Sequence, residues 1–198
     1  MNDLAAFVLA GGKSSRMTKD KAFLSFGAET LLSRAMKLAS AVAESVSIVG
    51  DVKKFAGFGP VVADIYPDRG PLGGIHAALS ATKAEQNLIL AVDLPFLELR
   101  FLECLIAEAQ KSAALVTVSQ VGRGFQPLCA VYRREFGELA DAALRKGRNK
   151  IDLLFAEINP RIITEEEFVR SGFSVEMFRN LNTPQDLEEA LGKIGPER

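Results

Sequence analysis

The chain has 198 residues, enough for one sizeable α/β domain and too few to divide readily in two; its 48% hydrophobic content supplies the core that a domain of this size buries. A formal net charge of -1 gives no whole-molecule attraction for nucleic acid or an anionic membrane, so any anion binding must be local. Cys104 and Cys129 stand alone, with neither C-x-x-C spacing nor a histidine cluster, which argues against a zinc site or disulfide framework and leaves buried, reduced thiols as the expectation.

Asn2-Asp3 gives the first apolar run no basic lead, and no segment reaches the ~20 apolar residues of a membrane span, so a soluble, cytoplasmic chain is expected. Leu4 to Ala10 is too short for a typical helix and stops at Gly11-Gly12, which predicts a strand buried on both faces. Lys13, Arg16, Lys19 and Lys21 follow, with Asp20 the single anion among them. Glycines without Cβ atoms let backbone N–H groups approach a phosphate, and the cations add charge-assisted hydrogen bonds. A plain turn followed by a solvated basic face has the same appearance, and the residues alone leave the two readings even. The stretch is not a P-loop, because Phe7 stands where G-x-x-x-x-G-K-[ST] needs its first glycine, and it lacks the G-x-G-x-x-G dinucleotide fingerprint.

From Thr30 to Ala43, Leu31, Ala35, Leu38, Ala39 and Val42 recur at helical spacing. Ser45 to Val49 alternates as a strand, and Pro60 to Ala63 makes another short one. Strand, helix, strand in this order predicts a Rossmann-like α/β fold: an open, mostly parallel twisted sheet with helices on both faces, in a single domain. Asp64 ends a strand, and Ile65 to Gly74 reads as a loop dense in proline and glycine, either a ligand-contacting loop at the carboxyl rim or a connector. His76, the only histidine, has no ligand or nucleophile nearby and reads as a helix-start residue.

Asn87 to Val92 is nearly all apolar and delivers Asp93 to the rim, where a carboxylate either caps the turn before Pro95 or holds Mg²⁺. Glu98 to Lys111 is an amphipathic helix, Ala114 to Ser119 a strand, and Gly122-Arg123-Gly124 a turn ahead of Gln126 to Tyr132. Gln126 suits a ligand edge or a strand-start polar equally. Phe136 to Leu144 marks a helix closing near Gly147. Gly147 to Phe178 is uninformative and leaves room for a mobile cover over the cleft. In Asn180-Leu181-Asn182-Thr183-Pro184-Gln185-Asp186, Thr183 is set as an N-cap and Pro184 as the first helical residue ahead of Leu187 to Leu191. Asn180 and Asn182 would project to one side of an extended segment.

Five of these stretches resemble, in order, the molybdenum cofactor guanylyltransferases within the wider nucleotidyltransferase family. Leu9, Ala10, Gly11, Gly12, Ser14, Arg16, Met17, Asp20 and Lys21 match the signature L-A-G-G-x-S-x-R-M-G-x-D-K. Thr18 stands where the family has glycine, which restricts the backbone but removes no functional side chain. Gly70-Pro71-Leu72 with Gly74-Ile75, the D-x-P of Asp93 to Pro95, Q-P-L-x-A-x-Y from Gln126, and N-x-N-T-P-[EQ]-[DE] from Asn180 complete the likeness.

The resemblance implies transfer of GMP from Mg-GTP to the terminal phosphate of molybdenum-molybdopterin, with release of pyrophosphate. It implies GTP contacts from Leu9, Ala10, Gly11, Gly12, Lys21, Asp64 and Asp93. Arg16 and Lys21 would stabilise developing charge, Asp93 would hold Mg²⁺, and Asn180 and Asn182 would lie on the molybdopterin side. Transient contact with molybdopterin-synthesis or molybdoenzyme-maturation proteins would follow from such a role. The residues fit this chemistry without a His/Asp or Ser/His constellation, because a phosphate monoester is already anionic and the reaction needs alignment and charge neutralisation. One rival keeps the fold and uses CTP, on the same cofactor or another phosphorylated acceptor. A rival of another class is a nucleotide-binding adaptor without catalysis.

Overall fold

A computed structural model describes residues 3–11 and 20–181, with residues 185, 186, 188 and 189 beyond them. Strand β1 (Leu4–Leu9) is buried along its whole length. Its side chains alternate, Ala6 and Val8 entering one hydrophobic layer while Ala5, Phe7 and Leu9 enter the other. An apolar run with no polar face is what a central strand covered on both sides requires.

β1 pairs in parallel with β4 (Ser45–Val49) on one side and β6 (Gln86–Ala91) on the other. β5 (Val61–Val62) lies outside β4, and β8 (Gly124–Arg133), β7 (Val116–Val121) and β9 (Arg161–Ile163) continue beyond β6, giving seven strands in the order β5-β4-β1-β6-β8-β7-β9. Only β8 runs against its neighbours. The chain moves outward from β1 through β4 to β5 and then returns to place β6 on the other flank, so the order switches between β1 and β6. In open α/β sheets that switch leaves a crevice at the carboxyl ends of the two strands. A separate hairpin, β2 (Ser25–Phe26) with β3 (Glu29–Thr30), leads into the first helix.

That helix, α1 (Leu31–Val42), starts where the Thr30 hydroxyl accepts the Ser33 amide at 3.1 Å. It buries Leu31, Leu32, Ala35 and Ala39 on the same face as α4 (Leu99–Lys111), with the short α2 (Val52–Phe55) contributing Phe55 to that layer. The opposite face carries α3 (Gly70–Ser80), α5 (Phe136–Arg145) and α6 (Ile151–Ile158). Helices therefore cover both faces of a mostly parallel sheet, as the strand and helix order predicts.

Several expectations are corrected. The strand expected over Pro60 to Ala63 is Val61–Val62, and that over Ala114 to Ser119 is Val116–Val121, with an irregularity between Val118 and Gln120. The loop expected from Ile65 to Gly74 ends at Gly70, where α3 begins. Gly70 turns the chain at φ +64, and Pro71 occupies the first turn, where its missing N–H removes no intrahelical bond. Gly73 and Gly74 are kept in the helix by close approach: a Cβ on Gly73 would lie 2.9 Å from the Tyr66 carbonyl oxygen, and one on Gly74 3.1 Å from Leu9 Cδ2. His76 is therefore mid-helix and buried. Of the two thiols, Cys129 is buried and Cys104 only partly so.

Of residues 147–178, where a mobile cover had room, none lines the hollow at the carboxyl rim of the sheet. β9 extends the sheet in parallel with β7, and α7 (Glu165–Arg170) starts at a capping box formed by Thr164 and Glu167. Phe168, Phe173 and Phe178 then surround Phe101 of α4, with ring centroids 6.3, 5.3 and 5.3 Å away. Gln185, Asp186, Glu188 and Glu189 are helical, in keeping with the helix start read there, while Asn182, Thr183 and Pro184 lie outside the described residues.

Candidate active site

At the carboxyl rim of β1, β4 and β6 lies a hollow of about 530 Å³. β1 contributes Leu9 and continues as Ala10 and Gly11; β4 ends there in Val49; β6 continues as Val92 and Asp93; and Leu128 of β8 closes one side. The far wall is the connector from β5 to α3, with Asp64, Asp68 and Arg69, and the helix start at Gly70, Pro71 and Gly74. The first turn of α3 is an end with unpaired backbone N–H groups and partial positive charge, which favours an anion or an electron-rich edge.

Lys21 and Asp93, 72 residues apart, meet in this hollow: Lys21 Nζ donates to Asp93 Oδ2 at 3.1 Å, each side chain about one-fifth exposed. Lys21 opens a single 3-10 turn, Lys21–Phe23, which Asp20 caps by accepting the Ala22 amide at 3.0 Å. Asp20 also pairs with Lys54 of α2, whose ammonium lies 5.0 Å from the centre of the Phe55 ring. Burial pushes the Lys54 ammonium below its ordinary value.

The loop carrying Asp93 is held from two sides. Arg34 of α1 donates its Nε–H to the carbonyl of buried Pro95, and the Leu181 amide donates to the Asp93 carbonyl at 3.1 Å. Leu181 is fully buried, so it fastens Asn180-Leu181 beside Asp93. Asn180 itself is exposed and outside the hollow.

Gly11 differs in detail from the phosphate cradle expected of it. Its N–H, like that of Ala10, donates to the Val49 carbonyl, at 3.2 and 3.0 Å respectively, which ties the end of β1 to β4. What Gly11 leaves open is space beside the Asp64 carboxylate: an added Cβ would stand 3.8 Å from Asp64 Oδ2. Asp64 faces solvent at the wall, with enough protein around it for desolvation to raise its carboxyl above the usual range. Gly12 and Arg16 lie outside the described residues. The sequence reading passes over Asp68 and Arg69; the signal that locates them is Gly70-Pro71, read as a helix start and not as loop.

Among the described lining residues, Asp20, Asp64, Asp68 and Asp93 set four carboxylates against Lys21 and Arg69. Beside carboxylates a triphosphate is best accommodated with a divalent cation between the two. Among the described residues no three His, Cys, Asp or Glu side chains gather into a metal cluster. The all-oxygen rim at Asp93 fits Mg²⁺, which typically takes one or two carboxylates and completes its shell with waters and substrate phosphates.

A crevice at the switch point of an open, mostly parallel sheet, with a lysine and a carboxylate meeting inside it, places the chain among the open α/β proteins that bind a ligand at the strand ends. Residues 6–157 match the MobA-like NTP transferase domain. A probable molybdenum cofactor guanylyltransferase from Clostridium perfringens strain 13 is 31% identical over 193 residues, covering 96% of both chains. A molybdenum cofactor guanylyltransferase from Desulfosudis oleivorans is 31% identical over 197 residues, covering 98% of this chain and 97% of its own. The crystal structure of molybdopterin-guanine dinucleotide biosynthesis protein A from Archaeoglobus fulgidus superposes with a TM-score of 0.85 at 23% identity, over 98% of this chain and all of that one. The chain belongs to the MobA-like NTP transferase family and is a nucleotidyltransferase. Among the described residues no helix is long and apolar enough to cross a membrane.

Proposed function

We propose that the protein transfers GMP from Mg-GTP to the terminal phosphate of molybdenum-molybdopterin, giving the guanine dinucleotide form of the cofactor and pyrophosphate, with residues 1–198 acting as one domain. The observation that carries the reading is the meeting of Lys21 and Asp93 in one hollow with Gly11 and Asp64. The names of the relatives supply the nucleotide and the acceptor.

In this reading the acceptor phosphate oxygen attacks the α-phosphorus of GTP, a new P–O bond forms, and the bond to the β,γ-diphosphate breaks. The acceptor is anionic at neutral pH, so no side chain is required as a base. Lys21, with Arg16, neutralises charge on the phosphates as it shifts towards the leaving diphosphate. Asp93 would hold Mg²⁺, which supplies Lewis-acid charge neutralisation and a template for the phosphates. Leu9, Ala10, Gly11, Gly12 and Asp64 contact the nucleotide. Asn180 and Asn182 are assigned to the acceptor side, and what supports this for Asn180 is the bond from its neighbour Leu181 to Asp93.

The test is pyrophosphate release by the purified protein with Mg²⁺ and either GTP or CTP, with and without molybdenum-molybdopterin. Release with GTP that depends on the acceptor is expected. Release with CTP alone would replace the nucleotide in this reading, and GTP binding without release in the presence of acceptor would replace the enzyme by an adaptor.

A further inference from the structure

The connector between β5 and α3 brings Asp64, Asp68 and Arg69 to the hollow, yet the groups that fix it lie outside the hollow. Its path is demanding: Asp68 at φ +61 and Gly70 at φ +64 place two left-handed residues within three. A non-glycine residue in that region persists where its surroundings hold it.

Tyr66, between Asp64 and Asp68, is anchored at both ends. Its hydroxyl donates to Asp141 Oδ1 of α5 at 2.6 Å, across 75 residues of sequence. Its carbonyl oxygen lies against Gly73, where no side chain would fit. The Asp141 carboxylate is held in turn by Arg145 Nε, donating to Oδ2 at 2.7 Å. The ring of His76 meets the ring of Tyr66 edge-on, with centroids 5.2 Å apart, and His76 Nε2 lies 3.6 Å from Asp141 Oδ1. The charges agree with the geometry: the Tyr66 bond lowers the Asp141 carboxyl and the same bond raises the Tyr66 phenol, so an ionised acceptor faces a protonated donor. Neither Tyr66 nor Asp141 lines the hollow.

We propose that Tyr66 and Asp141 form a strut that positions the nucleotide-binding connector, so that affinity at the α3 end of the hollow is set by a carboxylate on α5 that does not touch the ligand. The inference rests on the nucleotide reading of the hollow. Tyr66→Phe keeps the ring on His76 and removes only the hydroxyl; Asp141→Ala removes the acceptor; Asp141→Asn keeps an acceptor oxygen without the charge. With 29% of the Asp141 side chain exposed, water competes for the bond, and the effect is expected at the lower end for a charge-assisted hydrogen bond.

The test combines steady-state kinetics with Mg-GTP and amide hydrogen exchange on the full-length protein without ligand. Tyr66→Phe and Asp141→Ala are expected to raise KM for GTP about tenfold with kcat within about twofold, while Asp141→Asn recovers most of the loss. Exchange is expected to quicken over residues 64–74 in both damaging variants and to stay unchanged in the strands. An unaltered KM, a loss confined to kcat, or faster exchange spread over the whole chain would overturn the strut. If the wild-type protein neither binds GTP nor releases pyrophosphate from it, the proposed function fails, and the exchange measurement still decides the strut separately: quickening limited to residues 64–74 upholds it and unchanged exchange refutes it.

Discussion

Gly11→Ala separates what the fold needs from what a ligand needs. The backbone at Gly11 is outside the left-handed region, and among the described residues an added Cβ would meet Gly50 Cα at 3.6 Å, the Val49 carbonyl oxygen at 3.7 Å and Asp64 Oδ2 at 3.8 Å, all ordinary contacts. Alanine at a position whose backbone already suits it stabilises by about 0.4–1 kcal/mol, because the unfolded chain loses freedom. For a chain of 198 residues that corresponds to a rise in Tm of roughly 1–4 °C. The same methyl group projects at the mouth of the hollow beside Asp64, where the proposed reading puts the nucleotide. Forcing one methyl group into occupied space costs about 1–3 kcal/mol, a loss of roughly five- to 150-fold in affinity. Thermal unfolding without ligand and calorimetric titration with Mg-GTP measure the two effects on one sample. Stability should hold or rise while affinity falls. Wild-type affinity in a stably folded variant would show that nothing approaches Gly11, and a Tm lowered by several degrees would show that the glycine serves the fold.

Lys21→Ala and Asp93→Asn should each lower kcat by about 10²–10³ in the pyrophosphate assay, the scale seen when a charge-stabilising group is removed. Their Tm should shift by no more than about 1 kcal/mol of stability implies, since the pair is partly exposed. Arg34→Ala strips the buried Pro95 carbonyl of its donor and should cost about 1–3 kcal/mol, roughly 2–12 °C in Tm, with a further loss of kcat because the loop carrying Asp93 is freed; wild-type kcat would show that Arg34 does not position that loop. Glu167, bonded by Arg161 and by the Thr164 amide, has its carboxyl lowered from 4.5 to about 2. A carboxyl lowered in the folded state stabilises above its unfolded value, so this contribution is present above about pH 4.5 and is lost as pH falls towards 2. Tm followed from pH 5 to 2 should therefore decline less steeply in Glu167→Gln than in the wild-type protein, and equal slopes would remove Glu167 from the acid transition.

Legibility in the sequence follows the range of the interactions that decide each element. β1 and β6 are readable because burial on both faces leaves an unbroken apolar run, and the residue that follows such a strand must emerge at the rim; this is why Gly11 and Asp93 can be placed without coordinates. α1 is readable because its cap, Thr30, and its apolar stripe lie together between Thr30 and Val42. α3 fails that test. Its starting residue, Arg69, provides no side-chain cap, and its first turn consists of Gly70, Pro71, Leu72, Gly73 and Gly74, a composition that locally signals a loop. The glycines are there because Tyr66 and Leu9 press against the helix, contacts invisible to a local pattern. Residues 161–178 fail for a similar reason: their order comes from Phe101, which lies 60 or more residues earlier and around which three later phenylalanines close. The site divides along the same line. Its strand-end residues are announced by their strands, whereas the bonds that hold its loops, Arg34 to Pro95, Leu181 to Asp93 and Tyr66 to Asp141, join segments distant in sequence through single hydrogen bonds and leave no periodic trace. Substitutions at Arg34, Tyr66 or Asp141 should therefore alter the geometry of the hollow while leaving every signature block intact.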